Sequence, residues 1–395
     1  MNAVEAGVSA LFEKEYGAGG GLFFAPGRVN LIGEHIDYNG GRVLPCSLSI
    51  GTYAAAKKAD GRIRLVSGDL PGSRREIALD ELFSLPLEPG AFARFGWAAY
   101  PLGVAAQLHK AGYEFGGFDM AVMGDLPRGS GLSSSASLEI LTCAAVCGLF
   151  GLTLTAEEAA KIALSAEREC AGVNCGIMDQ FVCAAGRRSH ALLLDTNTLA
   201  HEYFPFELGQ HTLLIMNTKK PRRLADSKYN ERRAECELAL AAMRQLEPGL
   251  VSLCAADERL LLEAAPLLPE EVFRRARHAV TENARTLAAA GALAQGDTER
   301  LGALLNASHA SLRDDYEVTG RELDAIVEAA LLEEGVLGAR MTGAGFGGCA
   351  IALCEKAAAE GAKERIAARY TEMTGLTPEI YEAETGDAPF GKGND

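Results

Sequence analysis

Residues 124–140 read GDLPRGSGLSSSASLEI, a glycine-rich loop running through three consecutive serines into an apolar stretch, with no lysine where a phosphate loop ordinarily carries one. Gly124, Gly129 and Gly131 permit positive φ, so successive N–H groups can converge on one point, and Ser133 to Ser135 open a helix whose positive end faces that point. A solvated linker and an anion cradle share this composition. The flanks favour the cradle: Phe118 to Met123 reads as a strand, and Leu138, Leu141, Thr142, Ala145 and Leu149 follow helical spacing until Gly151 ends the run. Neither G-x-x-x-x-G-K-[ST] nor a G-x-G-x-x-G with an acid about 20 residues on is present. The expected ligand, a nucleotide phosphate, is therefore held by another solution.

Working outward, residues 25–41 read APGRVNLIGEHIDYNGG, in which Arg28, Glu34, His35 and Asp37 crowd among Pro26, Gly27, Gly33, Gly40 and Gly41. That punctuation predicts an irregular loop. Apolar neighbours on both sides and within, Leu22 to Phe24, Leu31, Ile32, Val43 and Leu44, set the polar groups in a dry surrounding. Such a setting suits a hydroxyl-rich ligand, because carboxylates accept from sugar hydroxyls while arginine donates. A third segment, residues 338–353, reads GARMTGAGFGGCAIAL. Its glycines predict either a turn before the apolar strand from Cys349 or a close approach of backbone to ligand.

These three segments, in this order and together with CGIMDQF at 175–181, resemble the GHMP small-molecule kinases. GRVNLIGEHIDY is similar to the galactokinase signature, and the resemblance spans roughly residues 22 to 353. It implies a two-domain fold, α/β and α+β, with the active site between the domains. A mixed-sheet N-terminal domain would cover 1–195 and an α+β C-terminal domain 196–395, the boundary falling between 185 and 210. It further implies transfer of the γ-phosphoryl group of ATP, with Mg2+, to the anomeric hydroxyl of α-D-galactose, the first committed step of galactose catabolism. The loop Gly129, Ser130, Gly131, Leu132, Ser133, Ser134, Ser135 and Ala136 would cradle the nucleotide phosphates, and Ser135 with Glu167 would bind magnesium. Asp179 would serve as base with Arg28 stabilising charge. Whether Asp179 removes the proton or orients the hydroxyl stays open at this level. Glu34, His35, Asp37, Gly176, Asp179 and Tyr229 would line the sugar pocket, Glu34 at the 6-hydroxyl and Asp37 at the 3- and 4-hydroxyls. A related sugar 1-kinase acting on N-acetylgalactosamine, arabinose or galacturonate, or a non-catalytic galactose sensor, would share most of these segments. The intact Ser133–Ala136 run and Asp179 speak for a working enzyme.

Composition agrees without selecting this fold. A chain of 395 residues with 48% hydrophobic content buries a large core and suits two domains. A formal charge of −15 excludes nucleic acid and anionic membrane as natural partners. Lys219 to Arg223 and Arg274 to Arg277 are local basic runs, read as solvated surface, the first also a candidate for placing an anionic nucleotide. The ten cysteines include no C-x-x-C pair and lie mostly in apolar runs, so buried thiols in a reducing compartment are expected, and no structural zinc. No stretch of about 18 uninterrupted apolar residues occurs, and the acid-bearing N-terminus reads as an amphipathic helix, not a secretory signal. A cytoplasmic monomer acting on small molecules is expected. Strands are predicted near 22–25, 42–57, 62–67, 118–123, 190–195 and 212–217, and helices near 92–111, 133–150 and 156–170. A mostly helical stretch over 226–333 and a final strand, helix and strand complete the reading.

Overall fold

The computed structural model describes residues 2–127, 130–220 and 225–391. Its strands are β1 (Gly21–Asn30), β2 (Arg42–Val43), β3 (Pro45–Ala59), β4 (Arg62–Ser67), β5 (Arg75–Ala78), β6 (Gly117–Gly124), β7 (His190–Asp195), β8 (His201–Pro205), β9 (His211–Asn217), β10 (Val336–Thr342), β11 (Cys349–Glu355) and β12 (Glu379–Glu382). They form a five-stranded sheet ordered β1-β3-β6-β4-β5, a four-stranded sheet β10-β11-β9-β12 and a three-stranded sheet β2-β7-β8. The first is mixed, because β4 and β6 pair in parallel while its other pairs are antiparallel. The second is antiparallel throughout.

Alternation along the strands divides the first sheet between two cores. Tyr53 and Ala55 of β3 with Ala121 of β6 face the N-terminal helix Ala3–Tyr16, which contributes Val8, Phe12 and Tyr16. Ala54, Ala56, Phe118, Met120 and Val122 face the opposite way, onto helices Ala99–Lys110 and Ser134–Phe150. A further core joins the two halves of the chain. There Val29, Leu31, Ile32, Leu44 and Leu132 meet Ile215, Ala289, Leu293, Leu305 and Ile351. Full burial of a leucine or isoleucine contributes roughly 1.5–3 kcal/mol, so Leu31 and Ile32 anchor the segment just after β1.

β1 corrects the expected loop over residues 25–41. The strand continues through Arg28 to Asn30, with a register shift against β3 between Pro26 and Arg28. Irregular structure begins only at Leu31 and contains one short 3₁₀ helix, Asp37–Asn39. The prolines and glycines mark a bulged strand, since Pro26 lacks the ladder N–H. Gly27 is required there: a Cβ on it would lie 2.5 Å from Leu126 Cδ2 and 2.8 Å from the Leu132 carbonyl oxygen. Three strands go unforeseen, β5, β8 and β10. β10 is the most consequential of them, since it runs into the glycine-rich third segment and carries Arg340 and Thr342.

Candidate active site

Four elements converge on one place: the end of β1 with the loop after it, the N-terminus of helix Ser134–Phe150, the first turn of helix Met178–Ala185, and the turn between β10 and β11. Arg28, 4% exposed, grips Asp179 with a fork, Nε to Oδ1 and Nη2 to Oδ2, each at 2.8 Å. Its Nη1 donates to the Gly131 carbonyl at 2.7 Å, and its backbone N–H to the Leu132 carbonyl at 3.2 Å. One arginine thus ties the phosphate loop to the carboxylate. Burial opposes its charge, but Asp179 and Glu34 outweigh that and raise its pKa.

Ser133 sits at the N-cap of helix Ser134–Phe150 in the left-handed region, φ 61° and ψ 46°. A serine here ordinarily turns its hydroxyl onto a first-turn N–H. This one donates to Asp179 Oδ2 at 2.6 Å and caps nothing. The first-turn N–H groups of Ser134, Ser135 and Ala136 therefore stay available to an anion at the positive end of the helix. Ser130 is buried, its Oγ 3.4 Å from the Leu132 N–H. Gly129 lies outside the described residues, as do residues 221–223 of the first basic run. The lysines of that run are paired, Lys219 with Glu379 at 2.6 Å and Lys220 with Glu322.

Glu167 lies in a single π turn, Ala166–Ala171, a local widening of the helix that recurs at functional sites. Burial first, then the Asp179 charge, push its carboxyl up to about 7, against the pull of hydrogen bonds to Ser135, Cys175 and Gln180. Gln180 Nε2 donates to Glu167 and lies 3.3 Å from Glu139 Oε2. Glu139 is fully buried, one turn on from Ser135, and burial with the Glu167 charge drives its carboxyl well above the usual range.

On the other side of Asp179, the loop after β1 presents three polar side chains. Glu34, 1% exposed, accepts at Oε1 from the Thr342 hydroxyl at 3.0 Å and the Gly343 N–H at 2.7 Å, with Arg340 Nη2 at 3.3 Å. Asp37 presses on Gly176: a Cβ there would fall 1.7 Å from Asp37 Oδ2, so only glycine fits. Burial, then Asp179 and Glu34, push the Asp37 carboxyl up to about 7. Arg168 holds the segment before Gly176 by donating to the Cys175 carbonyl, from Nε at 2.8 Å. His35, at φ 61°, packs against Tyr229 with ring centroids 5.4 Å apart. Burial, then the His278 charge, lower its pKa to about 3, so it is neutral.

The loop itself is held from the C-terminal half of the chain. Arg340, fully buried on β10, donates to the carbonyls of Asn30 at 3.1 Å and Leu31 at 2.9 Å. His278 Nε2 lies 3.0 Å from the Glu34 carbonyl. Glu282 accepts from the Gly33 N–H at 3.1 Å, from Ser308 at 2.6 Å and from Arg285 at 2.7 Å. The glycine turn after β10 reaches the Glu34 carboxylate through Gly343. Of these, the glycine turn stood out in the sequence, and Arg340 left a trace there as a lone charge among apolar residues.

The structure thus gathers Arg28, Glu34, His35, Asp37, Ser133, Ser135, Glu167, Gly176, Asp179 and Tyr229 around one place. Comparison with known proteins identifies the family. Residues 10–58 match the family described as galactokinase galactose-binding signature, residues 99–187 the GHMP kinases N terminal domain and residues 289–372 the GHMP kinases C terminal. Among curated relatives, a galactokinase of Ligilactobacillus salivarius is 47% identical over 369 residues, covering 92% of this chain and 93% of the relative. One of Streptococcus mutans is 48% identical over 366 residues, 92% of each. The crystal structure of Lactococcus lactis galactokinase complexed with galactose superposes with a TM-score of 0.92 at 42% identity, over 97% of this chain and 98% of that one. Methanococcus jannaschii mevalonate kinase shares the fold at a TM-score of 0.63 and 20% identity, over 94% of this chain and 99% of that one.

Proposed function

The chain belongs to the galactokinase family, and we propose from that premise that it transfers the γ-phosphoryl group of ATP to the anomeric hydroxyl of α-D-galactose. The carrying observation is the position of Asp179. Its carboxylate stands between an uncapped helix N-terminus fit for phosphates and a loop whose carboxylates fit sugar hydroxyls. Arg28 and Ser133 fix its orientation.

Phosphoryl transfer is mostly positioning and electrostatic stabilisation, and these residues divide that work. The first-turn amides of Ser134 to Ala136, with the loop from Ser130 to Leu132, hold the phosphates. Asp179 Oδ2 accepts from both Arg28 and Ser133, whereas Oδ1 accepts from Arg28 alone, so Oδ1 keeps a lone pair for the attacking hydroxyl. Arg28, always charged, stays beside the carboxylate whichever way the proton moves. Glu34 offers Oε2 to the sugar while Oε1 is occupied by Thr342 and Gly343, and Asp37 and Tyr229 close the pocket with the Gly176 backbone.

Magnesium fits the donors present. Ser135 and Glu167 supply a hydroxyl and a carboxylate, the hard oxygen ligands this ion takes. Among the described residues no group of three or more His, Cys, Asp or Glu is set for a metal, as suits an ion bound mainly through nucleotide phosphates and water. When bound, it would neutralise phosphate charge. The division near residue 195, a monomer and a cytoplasmic setting belong to the same reading. The thiols support the last: the described residues contain no disulfide, and nine of the ten cysteines are buried.

The test is ADP release from the purified protein with Mg-ATP, with and without D-galactose, the product identified as galactose 1-phosphate. Galactose-dependent release is expected. Nucleotide binding without turnover on galactose overturns this reading.

A further inference from the structure

Beside the sugar-pocket carboxylates runs a chain of four hydrogen-bonding side chains drawn from three distant segments. Cys236 Sγ, on helix Ala225–Leu246, lies 3.1 Å from the Tyr316 hydroxyl. That hydroxyl lies 2.8 Å from the Tyr38 hydroxyl, which lies 2.8 Å from His35 Nδ1. Cys236, Tyr316 and His35 are all buried. The Tyr316 and Tyr229 rings, with centroids 5.0 and 5.4 Å from the imidazole, restrict its rotation. At the far side of the ring, Nε2 is buried and makes no hydrogen bond.

Such a chain has two polarities. In one, every group donates toward His35, Nδ1 accepts from Tyr38, and Nε2 carries the ring proton. In the other, Nδ1–H donates to Tyr38 and Nε2 is a bare acceptor. The thiol end decides little, since a thiol is weak both as donor and as acceptor. The imidazole end decides it: a phenol is the better donor, and the unprotonated ring nitrogen is a far better acceptor than a phenol oxygen. The hydrogen bond at one ring nitrogen then sets the role of the other.

We propose that Cys236, Tyr316 and Tyr38 form a positioning relay that fixes His35 in the Nε2–H tautomer, making it a specificity-determining donor in a pocket whose carboxylates, Glu34, Asp37 and Asp179, accept. The sugar assignment rests on the reading above; the tautomer does not. A sugar hydroxyl beside both kinds of partner gives its proton to a carboxylate and takes one from His35. Fluorine in its place keeps only the second contact, and hydrogen keeps neither.

The test is long-range ¹⁵N–¹H NMR on the full chain labelled in histidine, without ligand, with His35→Gln to assign the signals. The expected result is an unprotonated nitrogen at Nδ1 and a protonated one at Nε2; the reverse assignment overturns the proposal. Tyr38→Phe removes the hydroxyl that donates to Nδ1, so a second tautomer should appear and the KM for galactose should rise about 2–10-fold, the cost of one net hydrogen bond, with kcat and the KM for ATP unmoved. Unchanged ring signals and an unchanged galactose KM in that variant also overturn it. Deoxyfluoro- and deoxygalactoses read the same contact in the unmodified enzyme, where the fluoro-sugar should bind better at the hydroxyl facing His35. If the tautomer is as expected but galactose is not a substrate, the sugar reading fails and the relay stands. Turnover of galactose with the opposite tautomer has the converse meaning.

Discussion

Arg28 and Asp179 face each other fork to carboxylate across 151 residues of sequence, with both contacts at 2.8 Å. The geometry is that of a bidentate charge-assisted pair, the arrangement in which arginine specifies orientation as well as charge. Ser133 adds a third donor to the same carboxylate.

Asp179→Ala should lower galactose phosphorylation by about 10²–10⁴-fold, the range for a positioned acid–base group, while nucleotide binding survives. It should also destabilise the protein by ~3–5 kcal/mol, because Arg28 becomes a buried cation without its partner. Asp179→Asn, closer in shape, should lose comparable activity with less stability. ADP-coupled turnover and urea melts measure the two effects. Normal kcat in a folded Asp179→Ala enzyme removes the mechanism.

Gly176→Ala places a methyl group 1.7 Å from Asp37 Oδ2, so the carboxylate has to leave its seat. The galactose KM should rise by about tenfold or more, the loss of one well-placed charged hydrogen bond, with the KM for ATP unchanged. An unaltered galactose KM would show that Asp37 does not hold the sugar.

Glu167 and Asp37 both have carboxyls pushed up to about 7. A raised carboxyl means that the folded state keeps protons the unfolded chain has given up. The stability this brings is complete below the unfolded values, near pH 4, and is lost as pH rises through about 7. The ligand-free protein should therefore melt at a lower temperature near pH 8 than near pH 5.5. Mg-nucleotide, which needs Glu167 ionised, should bind more tightly at the higher pH and narrow that difference. Calorimetry in the two buffers decides it, and a pH-independent nucleotide affinity would dissociate Glu167 from the metal.

Glu282 has the opposite sign. Burial raises its pKa, but Arg285, His278 and Arg340 outweigh that and bring the carboxyl down to about 2. Its contribution to stability is present above the usual glutamate value and is lost as pH falls through about 2. Glu282→Gln should cost ~3 kcal/mol near neutral pH. It should also raise the galactose KM more than the KM for ATP, since Gly33 and His278 hold the loop that carries Glu34. Equal changes in both constants would mean that Glu282 only stabilises the fold.

The candidate site was partly legible in the residues alone. Ser133 to Ser135 announced a helix start, and the charges between Arg28 and Asp37 announced a polar site in apolar surroundings, because both signals are local. The segment around Arg28 misled: proline and glycine ordinarily mean a loop, and here they mark the bulge by which β1 lets the phosphate loop lie against it. Glu282, His278, Tyr316 and Cys236 gave no signal. Each is an ordinary residue of the helical half, and its partner lies some two hundred residues or more away for the first two and at the meeting of three segments for the others. The hydroxyl of Ser133 was read as part of a phosphate loop, and its bond to Asp179 follows from a left-handed N-cap that no composition betrays.

The grip of Arg340 and Thr342 on Asn30, Leu31 and Glu34 also sets a timetable. On the ribosome Glu34, His35 and Asp37, the loop residues proposed to meet the sugar, emerge early, yet the loop carbonyls and the Glu34 carboxylate wait for their donors on β10, about three hundred residues later in synthesis. The nascent chain carries this loop for most of its elongation without the partners that hold it in place. A gene split near codon 195 would yield two polypeptides, neither able to retain galactose alone, and sugar binding would return only on mixing them, as a direct readout of their reassembly.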